Sequence, residues 1–298
     1  MKIGFIGLGK MGRKIVEHLL ERKYEVVVYN RTQSKLADVV KLGANGVASH
    51  KELCQELGKQ RIVWIMVSAD AVQEQIDGLA PHLSKDDIVI DGGNSYYKDS
   101  MRRAEELKRK GIYFLDMGTS GGLEGARNGA CFMVGGEKQA FKRVEKILKD
   151  LAAPGGYAHL GKSGAGHFSK MVHNGIEYGM MQAIGEGFDL LFHSEFNYDL
   201  KQVAKLWNSG SVIRSWLVEL AAKAFEKDAK LGGLEGVIYD SGEGKWTVQY
   251  ALDKQIAIPV ISSALLYRYQ SRERDLFAGR VVAALRREFG GHEVKEKK

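Results

Sequence analysis

The stretch "KIGFIGLGKMG", residues 2–12, decides the fold. Its first part, 2–7, is an apolar, β-branched run of the kind that forms a buried strand. Glycines follow at 7, 9 and 12 in the order G-x-G-x-x-G, and a helical pattern, "MGRKIVEHLLERK" (11–23), opens inside the motif. The motif alone is weak, but a strand before it and a helix after it are the context of a dinucleotide cradle. Gly7 permits the tight turn, Gly9 lets a pyrophosphate approach the backbone, and Gly12 lets helix and strand pack closely. Leu8, Lys10 and Met11 complete the cradle, whose helix N-terminus offers N–H groups to phosphates.

Outward from this motif the first half alternates strands and helices. Apolar runs recur at 24–30, 61–67, 87–93 and 112–118, with helical patterns such as "DSMRRAEELKRKG" (99–111) between them. Buried strands separated by helices predict a Rossmann-type, doubly wound parallel sheet of the α/β class. The rhythm stops at "AAPGGYAHLGKSGAG" (152–166), where Pro154 and the glycines predict a loop and a domain boundary. Beyond it the pattern is helical, over about 166–193, 199–209, 211–228, 246–258 and 261–289. The expected organisation is a dinucleotide-binding domain over 1–160 and an all-α domain for substrate and oligomerisation over 161–298.

The tip of the second strand separates NADP from NAD. A carboxylate there would hold a ribose 2′-hydroxyl. This chain has Asn30, Arg31 and Thr32 instead. Arg31 can pair with a 2′-phosphate or stack on adenine. NADP is therefore expected, with NAD possible.

Composition narrows the class. The chain of 298 residues carries a net charge of +7, with the basic residues scattered and no Arg-rich arm or nucleic-acid motif. That charge suits an anionic small molecule and also suits an ordinary charged surface. No apolar run approaches the roughly 20 residues of a membrane span. Cys54 and Cys131 lack metal-ligand spacing and read as reduced thiols of a cytoplasmic protein. No metal site is expected.

The first helix of the second half holds the chemistry. In "SKMVHNGIEYGMMQ", from Ser169, the residues Lys170, His173, Asn174, Glu177 and Tyr178 recur at the spacing that normally marks a buried apolar stripe. Met171, Ile176, Met180 and Ala183 occupy the other sides, so the helix is expected to be buried around a polar seam. Such a seam must face something polar, and three of its side chains can move protons.

At this point the motifs carry a likeness. "GLGKMG", "NRT", "DGGNS", "SGGLEGARNG", "GAGHFSKMVHNGIEYGMMQ" and "GKWT" occur in order over most of the chain. Together they resemble decarboxylating 6-phosphogluconate dehydrogenases, in particular the short members that lack much of the long members' C-terminal helices. The wider β-hydroxyacid dehydrogenases share "GLGxMG", "SGG" and a lysine near an asparagine, but not the His-Asn-Gly-Ile-Glu-Tyr continuation. The resemblance implies oxidative decarboxylation of 6-phosphogluconate to ribulose 5-phosphate, with Lys170 as base and Glu177 as acid. It implies substrate contacts from Asn94, which also meets the nicotinamide, and from the Ser120–Gly121–Gly122 loop, His173 and Asn174. Val67, Ser68 and Ala69, ending the 61–67 strand, are expected under the cofactor.

The phosphate end matches less completely. Tyr178 and Arg268 match family phosphate ligands. In long members a lysine precedes "GKW" and contacts substrate, whereas "DSGEGKWT" (240–247) has Glu243 in that region and Lys245 as a possible substitute. In the tail, "RREFGGH" (286–292) resembles a terminal motif that reaches into a neighbouring subunit through Arg286 and His292. A homodimer or homotetramer is the implied assembly. The rival readings are another β-hydroxyacid dehydrogenase, such as 3-hydroxyisobutyrate dehydrogenase or tartronate semialdehyde reductase, and a non-catalytic NADP-binding sensor.

Overall fold

The computed structural model describes residues 1–273 and 275–297. The strands are β1 (Lys2–Ile6), β2 (Glu25–Tyr29), β3 (Asn45–Val47), β4 (Ile62–Ile65), β5 (Ile88–Asp91), β6 (Tyr113–Ser120), β7 (Ala130–Gly136) and β8 (Ala152–Gly161). The helices among them are α1 (Lys10–Glu21), α2 (Leu36–Lys41), α3 (His50–Leu57), α4 (Val72–Leu79), α5 (Tyr97–Lys108), α6 (Gly122–Asn128) and α7 (Lys138–Leu151). The strands form one sheet in the order β3-β2-β1-β4-β5-β6-β7-β8. Pairing is parallel from β3 to β6 and again between β7 and β8, while β7 runs antiparallel to β6.

Side chains alternate across this sheet, and both faces are buried. Ile3, Phe5, Val26, Val28, Trp64, Ile88 and Ile90 enter one apolar core. Their neighbours Ile6, Val27, Val63, Ile65 and Val89 enter the other. That is the arrangement of a doubly wound α/β sheet, in which period-2 alternation buries both sets of residues.

The loop expected at 152–166 is corrected over its first ten residues, which form β8. Pro154 misled the reading because proline is excluded from central strands, and β8 is an edge strand, where a missing N–H costs little.

The remaining helices are α8 (Ala165–Phe192), α9 (Leu200–Asn208), α10 (Trp216–Lys227), α11 (Glu243–Asp253), α12 (Pro259–Gln270) and α13 (Phe277–Gly290). The single helix expected at 261–289 is corrected to two, α12 and α13. The break is held by long-range bonds: Ser271 Oγ accepts the Ile238 amide at 2.9 Å, and Asp275 accepts the Gly236 amide at 2.8 Å. Asp275 also pairs with Arg280 at 2.7 Å. A helical core joins Met181 and Phe188 of α8 to Ala204, Leu220, Phe225, Leu265, Phe277 and Val281.

The chain divides into two compact units, Met1–Met171 and Val172–Lys298, and the division falls inside α8. No helix among the described residues is long and apolar enough to cross a membrane.

Candidate functional site

In the first unit the candidate residues gather at the carboxyl ends of adjacent parallel strands. Gly7 follows β1, Asn30 follows β2, Val67 lies just past β4, Asn94 lies just past β5, and Ser120 ends β6. The strand order reverses between β1 and β4, which is where open α/β sheets bind ligands.

The glycine turn has the geometry a dinucleotide needs. Gly7 sits at φ +105°, and a β-carbon there would strike the Met66 carbonyl and stand 2.7 Å from Val67 Cγ1. A β-carbon at Gly12 would strike the Gly7 carbonyl, so the helix rests directly on the turn. At Gly9, in contrast, a β-carbon would meet nothing within 4 Å. Gly9 is also the N-cap of α1 and no side chain caps that end. An open space before uncapped N–H groups fits a pyrophosphate. Lys10 is exposed beside it, while Leu8 and Met11 turn inward.

Asn30 braces this turn. Its Oδ1 accepts the Leu8 amide at 2.8 Å, and its Nδ2 donates to the Thr32 carbonyl at 2.8 Å. Arg31 and Thr32 are exposed. The Arg31 charge reaches Asp70, whose carboxyl is held below its ordinary range mainly by the Ser68 hydroxyl and neighbouring backbone amides.

A buried network that the sequence reading missed ties the next two loops together. Asp91 accepts from Ser95 Oγ at 2.7 Å and from Arg103 at 3.3 Å, and all three side chains are buried. The Gly93 amide also donates to Asp91 at 3.3 Å, and Arg103 donates to the Ala69 carbonyl at 3.5 Å. The loops bearing Asn94 and Ala69 are thereby clamped to α5. Asn94 is exposed. Past β6, Gly121 (φ +115°) and Gly122 (φ +58°) take left-handed backbone that only glycine adopts without strain, and they open α6.

The start of α8 is pinned to the sheet. The buried Asp116 accepts the Gly164 amide at 2.7 Å and the His167 amide at 2.9 Å, satisfying donors that every helix N-terminus leaves unpaired. His167 is 1% exposed, and its Nδ1 lies 2.7 Å from Ser100 Oγ. Lys170 is 7% exposed. A β-carbon at Gly118 would strike its Cβ and stand 2.9 Å from its Cγ. Neither Asp116 nor His167 was legible as a site support, because each works through contacts far apart in sequence.

The polar stripe of α8 is the covered one. Lys170, Asn174 and Tyr178 are buried, and His173 and Glu177 are partly so. His173 Nδ1 stands 3.0 Å from Asn174 Oδ1 and 3.8 Å from Glu177 Oε2. The expectation of burial all round the helix is corrected. Ile176 and Met180 are 52% and 42% exposed, and Ala183 is exposed too.

In the second unit Tyr178 anchors a cluster of charge. The Arg268 guanidinium lies 3.3 Å from the centre of the Tyr178 ring, a cation–π contact. Arg268 is 1% exposed; its Nη1 donates to the Tyr239 carbonyl at 3.2 Å, while its buried Nη2 has no partner among the described residues. Burial pushes the Tyr178 phenol up to about 12 and the Arg268 guanidinium down to about 10. At neutral pH the first is a neutral donor and the second a cation.

Arg286 is buried in the same unit. Burial lowers its pKa, and the neighbouring Tyr178, Glu177, Glu243 and Asp240 oppose that shift. Within this chain, α13 carries Arg286 into the charge environment of Tyr178 and Glu177. His292 is exposed, its ring 5.6 Å from Phe289 and its amide donating to the Arg286 carbonyl at 3.4 Å. Lys245 is exposed, whereas Glu243 is buried.

Residues 2–166 match the family described as the NAD binding domain of 6-phosphogluconate dehydrogenase, and residues 166–296 match the 6-phosphogluconate dehydrogenase C-terminal domain. The chain is 52% identical over 297 residues, the full length of both, to YqeC of Bacillus subtilis (strain 168), which is provisionally named a 6-phosphogluconate dehydrogenase. It is 44% identical over 300 residues, 100% of this chain and 99% of the other, to an NAD(+)-dependent, decarboxylating 6-phosphogluconate dehydrogenase of Haloferax volcanii. Among solved structures, a Plasmodium falciparum 6-phosphogluconate dehydrogenase, studied apo, with its cofactor NADP+ and with its substrate, superimposes with a TM-score of 0.84 at 35% identity. That match covers 91% of this chain and 62% of the longer Plasmodium chain.

Proposed function

This chain belongs to the 6-phosphogluconate dehydrogenase family, and from that premise we propose that it oxidatively decarboxylates 6-phosphogluconate to ribulose 5-phosphate and CO2, with NADP as acceptor and NAD as the alternative. The observation that carries the reading is the burial of polar groups on α8. Lys170, Asn174 and Tyr178 are buried while Ile176 and Met180 on another side are left in solvent, as suits groups that serve a polar ligand.

In this reading the sugar acid lies along the stripe. Lys170 Nζ takes the proton of the C3 hydroxyl as the C3 hydride departs. The nicotinamide ring supplies the hydride acceptor when bound. The resulting β-keto acid loses CO2 through cleavage of its C1–C2 bond, and the Lys170 ammonium stabilises the enolate oxygen. Glu177, seven residues and about 10 Å further along the helix, delivers a proton to the carbon that becomes C1 of ribulose 5-phosphate. Asn94, Ser120, Gly121, Gly122, His173 and Asn174 hold the carboxylate and hydroxyls. Tyr178, Arg268 and Arg286 hold the phosphate; the unpartnered Arg268 Nη2 supports that assignment. His292, exposed beside Phe289, adds a donor from the tail.

The cofactor reading rests on the glycine turn and on Arg31. Gly7–Gly12 receive the pyrophosphate, Arg31 and Thr32 a 2′-phosphate, and Val67–Ala69 line the adjacent strand end. Asn30 contributes by holding the turn through the Leu8 amide.

A second copy of the chain is proposed as the cover of the apolar face. Ile176 and Met180 on α8, and Val260 and Leu266 on α12, are all exposed, at 52%, 42%, 68% and 63%. Burying such a row favours association. Sedimentation at micromolar concentration tests this; a monomer would refute it.

Initial rates with 6-phosphogluconate and with 3-hydroxyisobutyrate, each with NADP and NAD, test the function. Turnover of 6-phosphogluconate with release of CO2 is expected. Turnover confined to the unphosphorylated acid would overturn the proposal.

A further inference from the structure

Helix α5 buries polar side chains where an apolar stripe is the usual choice. Its inward face carries Ser100, Arg103 and Leu107, spaced as neighbours on successive turns. Ser100 and Arg103 are 0% and 4% exposed. A hydroxyl and a guanidinium out of water are costly unless each is bonded. Both are bonded, and they reach in different directions.

Arg103 holds the turn that presents Asn94. Both chain neighbours of Asn94 are tied to one carboxylate: the Gly93 amide donates to Asp91 Oδ1 at 3.3 Å, and Ser95 Oγ donates to Asp91 Oδ2 at 2.7 Å. Arg103 Nη1 donates to Asp91 Oδ2 and to Ser95 Oγ, each at 3.3 Å. Its Nη2 reaches the Ala69 carbonyl at 3.5 Å, and its Nε reaches Gln73 Oε1 at 3.2 Å. One guanidinium thus spans the Asn94 turn and the segment expected under the cofactor.

Ser100 holds the start of α8. Its Oγ lies 2.7 Å from Nδ1 of His167, three residues before Lys170. His167 Nε2 is buried with no hydrogen-bond partner among the described residues, so the ring is fixed through Nδ1. The rings of Tyr97 and Phe168 meet edge to face at 5.1 Å. A β-carbon at Gly164 would stand 2.7 Å from Met101 Cγ, so the first turn of α5 rests on the entry to α8.

We propose that α5 is an alignment helix, in which Ser100 and Arg103 are positioning residues that fix Lys170 relative to Asn94. The proposal rests on the roles given above to those two residues. Lys170 takes the proton of the C3 hydroxyl, and Asn94 meets the substrate and the nicotinamide that accepts the C3 hydride. Proton and hydride leave the same C–OH unit, so both groups must be held in one frame. A misplacement of about 1 Å costs on the order of a hundredfold in rate.

Substrate deuterated at C3 tests this. Ser100→Ala removes the contact with His167 and leaves every proposed ligand in place. It is expected to lower kcat about tenfold and to leave the KM for cofactor nearly unchanged. The deuterium isotope effect on kcat should rise, as hydride transfer becomes slower than product release. Arg103→Lys keeps a charge beside Asp91 but lacks the fork that reaches Ala69. It should show the same isotope signature together with a raised KM for cofactor. His167→Asn can place its amide where Nδ1 stands, and should keep more of kcat than His167→Gln, whose amide reaches the Nε2 position. A merely structural role would lower the melting temperature and leave the isotope effect unchanged, and that result overturns the proposal. Should Ser100→Ala and Arg103→Lys fail to fold, the isotope effects of the two His167 variants decide in the same way. The wild type separates this from the parent reading. If it turns over only another β-hydroxyacid, and the variants keep the signature with that acid deuterated, the proposed substrate fails and the alignment stands. If it turns over 6-phosphogluconate and the variants show no rise in isotope effect, the reaction stands and the alignment fails. No turnover of any such acid overturns both.

Discussion

Gly118 of β6 lies against Lys170 of α8 so closely that even a methyl group would collide with the lysine's own β-carbon. Gly118→Ala must therefore push the helix start, which Asp116 also holds through two amides. Overpacking of this kind costs about 1–3 kcal/mol. The expected outcome is a modest fall in melting temperature and a much larger fall in kcat, with the KM for cofactor nearly unchanged. Equal loss in all three measurements would show that Gly118 serves stability alone.

Lys170→Met should remove the base and leave the dinucleotide turn intact. A general base contributes about two to four powers of ten to a rate, so kcat should fall at least a hundredfold while fluorescence titration still detects cofactor binding. Glu177→Gln cannot give up a proton, and release of ribulose 5-phosphate should slow more than loss of CO2. A kcat unchanged across the pH range would remove Glu177 from the mechanism.

Arg31→Ala should shift the cofactor preference toward NAD by roughly one to two powers of ten in the ratio of kcat/KM values. Asn30 is best left in place, because aspartate there would lose the donation to the Thr32 carbonyl. A wild type that already prefers NAD, as the name of the Haloferax relative says of that enzyme, would refute the assignment.

Arg286→Ala should raise the KM for 6-phosphogluconate strongly and leave that for the cofactor nearly unchanged. Because Arg286 sits in its own chain's cluster, mixing this variant with Lys170→Met should restore no activity: every site in a hybrid keeps one defect. Recovery on mixing would show that the tail serves its neighbour.

The Tyr178 phenol, raised to about 12 by burial, gives a test at alkaline pH. An unfolded tyrosine loses its proton near pH 10. Between about pH 10 and 12 the folded chain holds a proton that the unfolded chain has released, so stability declines as pH rises. Tyr178→Phe should show a shallower decline over that window in denaturant titrations at fixed pH. An unaltered slope would mean that the ring is not closed off from water.

What the sequence revealed and what it hid follow from the range of the interactions. Gly7, Gly9 and Gly12 were legible because turn, cradle and helix start lie within six residues. The strands β1, β2, β4, β5 and β6 were legible because each is an apolar run buried on both faces. The reversed β7 and the edge strand β8 were not, since their pairing depends on partners and β8 carries proline. The gap between α12 and α13 was hidden because its run of Gln, Ser, Arg and Glu carries no glycine or proline to mark a stop, while Ser271 and Asp275 hold it by bonds to Ile238 and Gly236. Among the site residues, the polar stripe on α8 showed itself by spacing. Asp116, His167 and Arg103 could not, as each acts on a segment distant in sequence.

The boundary between the two compact units falls inside α8. A flexible linker tolerates insertions, but a helix turns by about 100° for each residue added. One residue inserted between Asn174 and Glu177 would carry Glu177 and Tyr178 about a quarter-turn away from the face that His173 and Asn174 begin. Gene fusions between relatives should therefore be viable when the crossover lies before Ala165, and sterile when it shifts the count within the helix.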